Sequence, residues 1–445
     1  MRQFLTAILL FFSLTISSQT KNDFTKITSD DRQIGDCFGW ATAIYNNFCL
    51  IGSPLIGVNN MNHRILDEAG TAFLYKKQKN GEWLLTQKFL PFKPKANDEF
   101  GGSVALNDSI VVIGSTGYDS DTTTYPNFMI RHGAVFSYKI NKEGQKTKTQ
   151  KIILEKSGEH DSFGDVLKLS KNTLAVSAPY GEKVKGSTVK GAVYIYTLSI
   201  KSEWVLSETI YPPTKDDNRF GKEIAISPDY LLIQSDGNQK VHVYQKQSSG
   251  KFKFIKTIIS PSKTDIDNQG KSAFGSSLGI LNNQLFIAAY GSFNNNFKGD
   301  SATLSFRNKH LLGCGIVYNY QINGVEVVLK QSISPADKKG EMHFGNDLSV
   351  NDSALVIAAF GDQLEGNNDE DNTYAGAAYV YKYKSNEWVQ QQKIVSNIRS
   401  KWDKFAFSIF LHNKQLIVGS RFEKENSKEK LPLDRAGAAY IYELK

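Results

Sequence analysis

An aromatic–small pair recurs seven times along the 445-residue chain: Phe38-Gly39, Phe100-Gly101, Phe163-Gly164, Phe220-Gly221, Phe274-Gly275, Phe344-Gly345 and Phe405-Ala406. The mean period is about 61 residues, which places the chain among repeat architectures before any single element is assigned. Each unit repeats the same internal order. A short strand follows the Phe and ends in an Asn- or Asp-bearing turn: Asn46-Asn47, Asn107-Asp108, Asn172, Asp229, Asn282-Asn283, Asn351-Asp352 and Asn413. Asn and Asp tolerate the positive φ of tight hairpins. A second, wholly apolar strand comes next, as in CLIGSP, VVIGST, LAVSAP and LVIAAF. After a variable loop a third strand appears, from GTAFLY at 70–75 to GAAYVY at 376–381 and GAAYIY at 437–442. Six units close with a fourth strand, such as QKFL at 87–90 or QKIV at 392–395.

The seventh fourth strand is missing, because GAAYIY lies three residues from the last residue. Phe24-Thr25-Lys26-Ile27 precedes Phe38 by the spacing at which the other fourth strands precede their Phe. The N-terminal strand is therefore expected to complete the last unit, closing a ring and removing free sheet edges. The fold class this predicts is all-β: a seven-bladed β-propeller with four-stranded blades, occupying residues 19–445. Trp83, Trp204, Phe252 and Trp388 stand six positions before a fourth-strand apolar residue and are expected in the core between blades. Gly and Ala in the third strands suit close blade stacking.

The pattern of Phe-Gly, short strand, turn, apolar strand and Gly-Ala-Ala-Tyr-Val-Tyr resembles the FG-GAP repeat family, which includes the propeller headpiece of integrin α chains and many secreted bacterial proteins. GSP at 52–54 and SAP at 177–179 stand where the family's Gly-Ala-Pro lies. The resemblance covers essentially the whole chain after the leader and implies a propeller, with much less said about function. It departs from the integrin pattern in one respect. Integrin-type repeats carry an Asp-rich calcium loop between strands 1 and 2, whereas here that connection is a tight turn, too short to wrap a cation that takes six to eight oxygens. No cofactor is expected, with calcium at the acidic loops of blades 2 and 6 left open as the alternative, and the chain looks closer to the bacterial branch. The Gly-His and Trp-Asp signature of WD40 propellers is missing.

Residues 1–18, MRQFLTAILLFFSLTISS, pair Arg2 with an apolar run from Phe4 to Ile16 and then small residues. They read as a secretory signal peptide. No later stretch reaches 18 apolar residues, so no membrane span is expected. The mature protein is expected to be exported, secreted or at an outer surface, and monomeric. Lys and Arg number 53 against 45 Asp and Glu, but the excess is spread thinly, so a basic solvated surface is expected and nucleic acid is not. Cys37, Cys49 and Cys314 have no metal-ligand spacing; the count allows one disulfide at most and excludes a disulfide-dense scaffold.

The variable strand 2–3 loops are the default binding surface of such a scaffold. Candidate ligand-binding residues are Tyr118, Asp119 and Asp121 in blade 2; Tyr290, Phe293 and Phe297 in blade 5; and Asp362, Asp369 and Asp371 in blade 6. Aromatic and amide groups bind sugars by stacking and hydrogen bonding, while the acidic loops suit a basic ligand. His242 and His343 fall on repeat positions and are read as structural. The chain has no nucleophile elbow, zinc-protease motif or phosphate loop. The expectation is a non-enzymatic adhesion or recognition protein for an extracellular protein or glycan. The alternatives are a polysaccharide-acting enzyme with acids near the propeller axis and a passive envelope repeat protein. Convergent acids at the axis would favour the enzyme; an aromatic–polar patch on the loop face would favour binding.

Overall fold

The computed structural model describes residues 24–445 except 31, 60–64, 67, 120–130, 156–160, 182–189, 237–238, 263–272, 293–312, 364–373 and 425–432. Seven four-stranded antiparallel sheets are arranged around one axis as a seven-bladed β-propeller. Blade 1 runs Ala41–Tyr45, Phe48–Ser53, Thr71–Lys77 and Trp83–Phe89 from the axis outward. The other blades follow the same order. In blade 7 the outermost strand is Phe24–Ile27, which pairs antiparallel with Ala438–Glu443 in the register Phe24↔Tyr442 to Ile27↔Ala439. The ring closure expected from the spacing is therefore present. A further two-stranded hairpin, Val58–Asn59 with Ile65–Leu66, decorates the strand 2–3 connection of blade 1; nothing in the repeat predicts it.

The repeated Phe has a packing reason. Phe38, Phe100, Phe163, Phe220, Phe274, Phe344 and Phe405 are all fully buried, each worth about 1.5–3 kcal/mol of transfer free energy. The buried apolar residues form seven clusters, and each cluster draws on two neighbouring blades. The core is thus a ring of inter-blade interfaces rather than one central mass. The Phe N–H also donates to the preceding blade's third strand, as from Phe100 to Ala69 O (3.1 Å), Phe405 to Ala375 O (3.1 Å) and Phe38 to Ala436 O (3.0 Å). The glycine next to each acceptor, such as Gly70, Gly376 or Gly437, has φ near +85° and lies against the incoming Phe backbone, where a Cβ would come within 2.2, 1.9 and 2.1 Å of the Phe carbonyl oxygen. That contact is made at six of the seven interfaces and is why those third strands open with Gly; in blade 4 Gln239 stands at this place, itself at φ 52°.

A second clasp lies on the outer strands. Gln150 and Gln331 each bond both the N–H and the C=O of the next blade's Trp204 and Trp388, at 2.8–2.9 Å. The indole N–H groups reach back across the interface, Trp204 to Ser137 Oγ (2.9 Å) and Trp388 to Gln284 Oε1 (3.0 Å). Trp204, Phe252 and Trp388 are buried and Trp83 packs at the edge of a cluster, so the expected inter-blade role of these aromatics is observed.

The turns use Asn in two ways. Asn46, Asn282 and Asn413 take positive φ themselves. Asn107 and Asn351 instead accept backbone N–H groups two and three residues on, at 2.8–3.2 Å. In blade 3 the positive φ falls on Lys171 rather than on Asn172. All three cysteines are buried free thiols, so the single disulfide left open by their number does not form. His242 is fully buried between Ser235, Thr257 and Asp217.

An aspartate two or three residues before the Phe is a feature not anticipated. Asp36, Asp98, Asp217 and Asp403 are buried, and each accepts a backbone N–H three residues earlier, from Gln33, Lys95, Thr214 and Ser400. The serine ending strand 2 then donates to the backbone carbonyl of three of them: Ser53 to Asp36, Ser115 to Asp98 and Ser420 to Asp403, at 2.7–3.1 Å. These bonds fix the loop entering each inner strand, and so fix which residues face the axis.

Candidate functional site

The residues that follow the Phe-Gly pair occupy the inner strands and line a central cavity of about 450 Å³, among them Trp40, Ser103, Asp165, Glu223, Asn346, Asp347 and Phe407. This ring position carries a different chemistry in each blade. Toward blades 3, 4 and 6 it is charged. Lys222 pairs with Asp165 (2.8 Å) and Lys168 with Glu223 (2.9 Å). Asp347 accepts N–H bonds from Leu348 and Ile409, both 2.8 Å. Burial pushes the Asp347 carboxyl up to about 6, with Lys168 opposing that rise.

Toward blades 6, 7 and 1 the same rim is aromatic and cationic. Trp402 and Tyr374 stack at 4.7 Å and 12°. Tyr374 lies 5.9 Å from His343, which stacks on Phe360 at 4.7 Å and 17°. Phe407 contacts Phe360 (5.9 Å) and Trp40 (5.6 Å). Trp402 remains 44% exposed at the end of this row. Arg421 places its guanidinium 3.5 Å from the centre of Phe407, 4.4 Å from Trp40 and 4.5 Å from Phe422. Lys404 lies over Phe422 (4.8 Å) and Phe360 (5.2 Å). Burial, together with the charges of Arg421 and Arg435, pulls the Lys404 ammonium down to about 8.

The backbone explains why these groups converge. Lys404 N–H donates to Tyr374 O (3.0 Å) in the clasp between blades 6 and 7, and Phe422 N–H donates to Asp403 O (3.2 Å). Tyr374, Trp402 and Lys404 all have positive φ, so this corner is built from bent backbone that turns side chains toward the rim.

The expected site residues are only partly gathered here. Tyr290 belongs to the cluster, 5.5 Å from His343. His343 is therefore part of the aromatic row as well as a repeat-position residue. Tyr118 and Asp119 lie on blade 2; Tyr118 packs edge-on to Phe136 and receives Lys151 Nζ at 3.0 Å, while Asp119 faces His132 Nδ1 at 3.1 Å. Asp362 departs from the picture of a loop acid facing a ligand. It is buried, bonded by Tyr379 (2.8 Å) and Lys393 (2.9 Å), and ion-paired with Arg399. Asp121, Phe293, Phe297, Asp369 and Asp371 lie outside the described residues. Among the described residues no group of three or more His, Cys, Asp or Glu is placed to hold a metal ion.

Trp40, Phe360, Phe407, Arg421, Lys404 and Trp402 were not singled out from sequence. A signal for several of them was present: Trp40 and Phe407 are two residues past the repeated Phe, and Arg421 and Phe360 end the second-strand runs LIVGSR and LVIAAF. Reading the repeat down its columns, rather than scanning the loops, points to this rim.

No family model matches the chain and no curated protein does. Among solved structures the chain is similar to a protein from Bacteroides fragilis provisionally assigned as a 6-phosphogluconolactonase. The identity is 12%, the TM-score 0.44, and the match covers 88% of this chain and 94% of that one. The expectation that the chain is not an enzyme is corrected by this neighbour, whose name is that of an enzyme: the architecture gives no ground for excluding catalysis. At this identity and score the likeness says nothing of substrate or of residues here.

Proposed function

We propose that the protein is an exported recognition protein of the FG-GAP repeat kind, which binds an extracellular protein or glycan on its loop face. The observation that supports this reading is the row Trp402–Tyr374–His343–Phe360, with near-parallel rings, an exposed end, Lys404 against it and Arg421 over the adjoining Phe407. Flat aromatic faces take up the apolar faces of sugars and the anchoring side chains of proteins. Seven inter-blade interfaces hold the rim rigid, so little ordering is needed on binding. The leader-like residues 1–18 support export.

The test is a glycan and matrix-protein array probed with the mature chain and with Trp402→Ala. A specific signal that falls about tenfold or more in the variant, at unchanged circular dichroism, is expected. A signal indifferent to Trp402 and to its neighbour Tyr374 would place recognition elsewhere. A second reading, an enzyme acting on polysaccharide, is favoured by the carboxylates of Asp165, Glu223 and Asp347 lining the cavity; shortening of the bound glycan in the same assay would bring it forward.

A further inference from the structure

Most of the part-buried cations among the described residues that line a blade interface or the central cavity pair with an acid. Lys26 pairs with Glu423, Lys222 with Asp165, Lys168 with Glu223, Arg131 with Glu99 and Arg399 with Asp362. Among the described residues, Arg421 and Lys404 have no carboxylate within ion-pair distance. Their neighbours are the rings of Trp40, Phe360, Phe407 and Phe422, and Arg421 Nε is buried with no hydrogen-bond acceptor. The acids closest in sequence are committed elsewhere: Glu423 to Lys26 and Tyr440, Asp403 to the Ser400 N–H, and Asp434 to Lys424 and Arg435. Glu341, across the aromatic row, accepts from Tyr374. The Cys37 thiol beside the guanidinium is held neutral by burial. Two partly desolvated cations, without a counter-charge among the described residues and framed by aromatic faces, form a site for a compact anion attached to an apolar-faced body.

Resting on the recognition reading above, we propose that Arg421 and Lys404 bind the acidic group of an anionic sugar, a carboxylate or a sulfate ester, while the adjoining sugar ring lies on the Trp402–Tyr374 stack. The guanidinium supplies a two-point hydrogen-bonding fork to the anion, the ammonium a point charge.

The experiment is calorimetric titration of the mature chain with a uronate oligosaccharide, a sulfated one, a neutral one of equal length, and the free monosaccharide uronate and inorganic sulfate. The anionic oligosaccharides are expected to bind at least about tenfold more tightly than the neutral one, and 0.5 M NaCl to reduce that margin. Arg421→Gln, chosen to keep the packing against Phe407, and Lys404→Met should each erase most of the margin, while Trp402→Ala weakens every oligosaccharide. Free sulfate binding as strongly as the oligosaccharides would reduce the site to a small-anion pocket and overturn the sugar assignment. Equal binding of anionic oligosaccharides by wild type and by the double variant also overturns it. Trp402-dependent binding of neutral sugars with no anionic preference overturns this inference and leaves glycan recognition standing; no saccharide binding at all removes both.

Discussion

Replacing Gly437 by alanine should cost the protein about 2–5 kcal/mol of stability. Gly437 sits at the seam where the last blade meets the first, at φ +83°. A Cβ there would lie 2.1 Å from the Phe38 carbonyl oxygen and 2.6 Å from its nitrogen. Neither atom is the end of a flexible side chain. The alternatives are to move the Phe38 backbone, which carries a fully buried ring, or to part the interface. Left-handed backbone adds about 1–2 kcal/mol for an L-residue, and overpacking a dense site adds about 1–3 kcal/mol. Gly81 is the internal control: φ +89°, with nothing within 4 Å of an added Cβ. Gly81→Ala should show the backbone cost alone. Urea midpoints of the two variants measure the difference, and equal midpoints would show that the seam carries no special load.

The second large effect is on pH. Burial raises the carboxyl of Asp98 to about 6 and that of Asp403 to about 7, from 3.8. The folded state therefore holds protons on these groups that the unfolded chain has released. Their contribution is fully present below about pH 4 and is lost as pH rises through 6 and 7. Asp217 has the opposite sign, lowered to about 2 by its bonds to His242 and Thr214 against the cost of burial, so its contribution is lost only below pH 4. Between pH 5 and 8 the pair acts in the same direction as Asp347, whose carboxyl burial also raises to about 6, and at about 1.4 kcal/mol per unit Asp98 and Asp403 together are worth on the order of 3–5 kcal/mol. The urea midpoint should be higher at pH 5 than at pH 8. The double variant Asp98→Asn, Asp403→Asn should flatten that slope; a slope unchanged in the double variant would assign the pH dependence to other groups.

Much of the fold was legible because each blade interface repeats one physical requirement. At six of the seven interfaces the buried Phe packs against a Gly of the neighbouring blade, and a closed ring of interfaces needs a strand supplied from the other end of the chain. Phe24–Ile27 could be placed by spacing alone for that reason. The site was less legible. Residues of this rim come from three blades, with Trp40 and Phe407 367 positions apart in sequence, and meet only because the ring brings blades 6, 7 and 1 together. Asp362 shows the limit of reading a loop: an acid in a loop-like stretch reads as a candidate ligand contact, yet Lys393 from the outer strand and Arg399 from the next connection enclose it. Asp98 and Asp403 look like ordinary turn acids until the serine at the end of strand 2 is seen bonded to the same loop.

Hydrogen–deuterium exchange of the mature chain with and without the ligand selected on the arrays tests the location of the recognition surface most directly. New protection confined to residues 38–42, 374–376, 400–408 and 419–424 is the predicted result. Protection on the strand 1–2 turns around Asn282 and Asn351, or on the outer strands, with this rim unchanged, would contradict it.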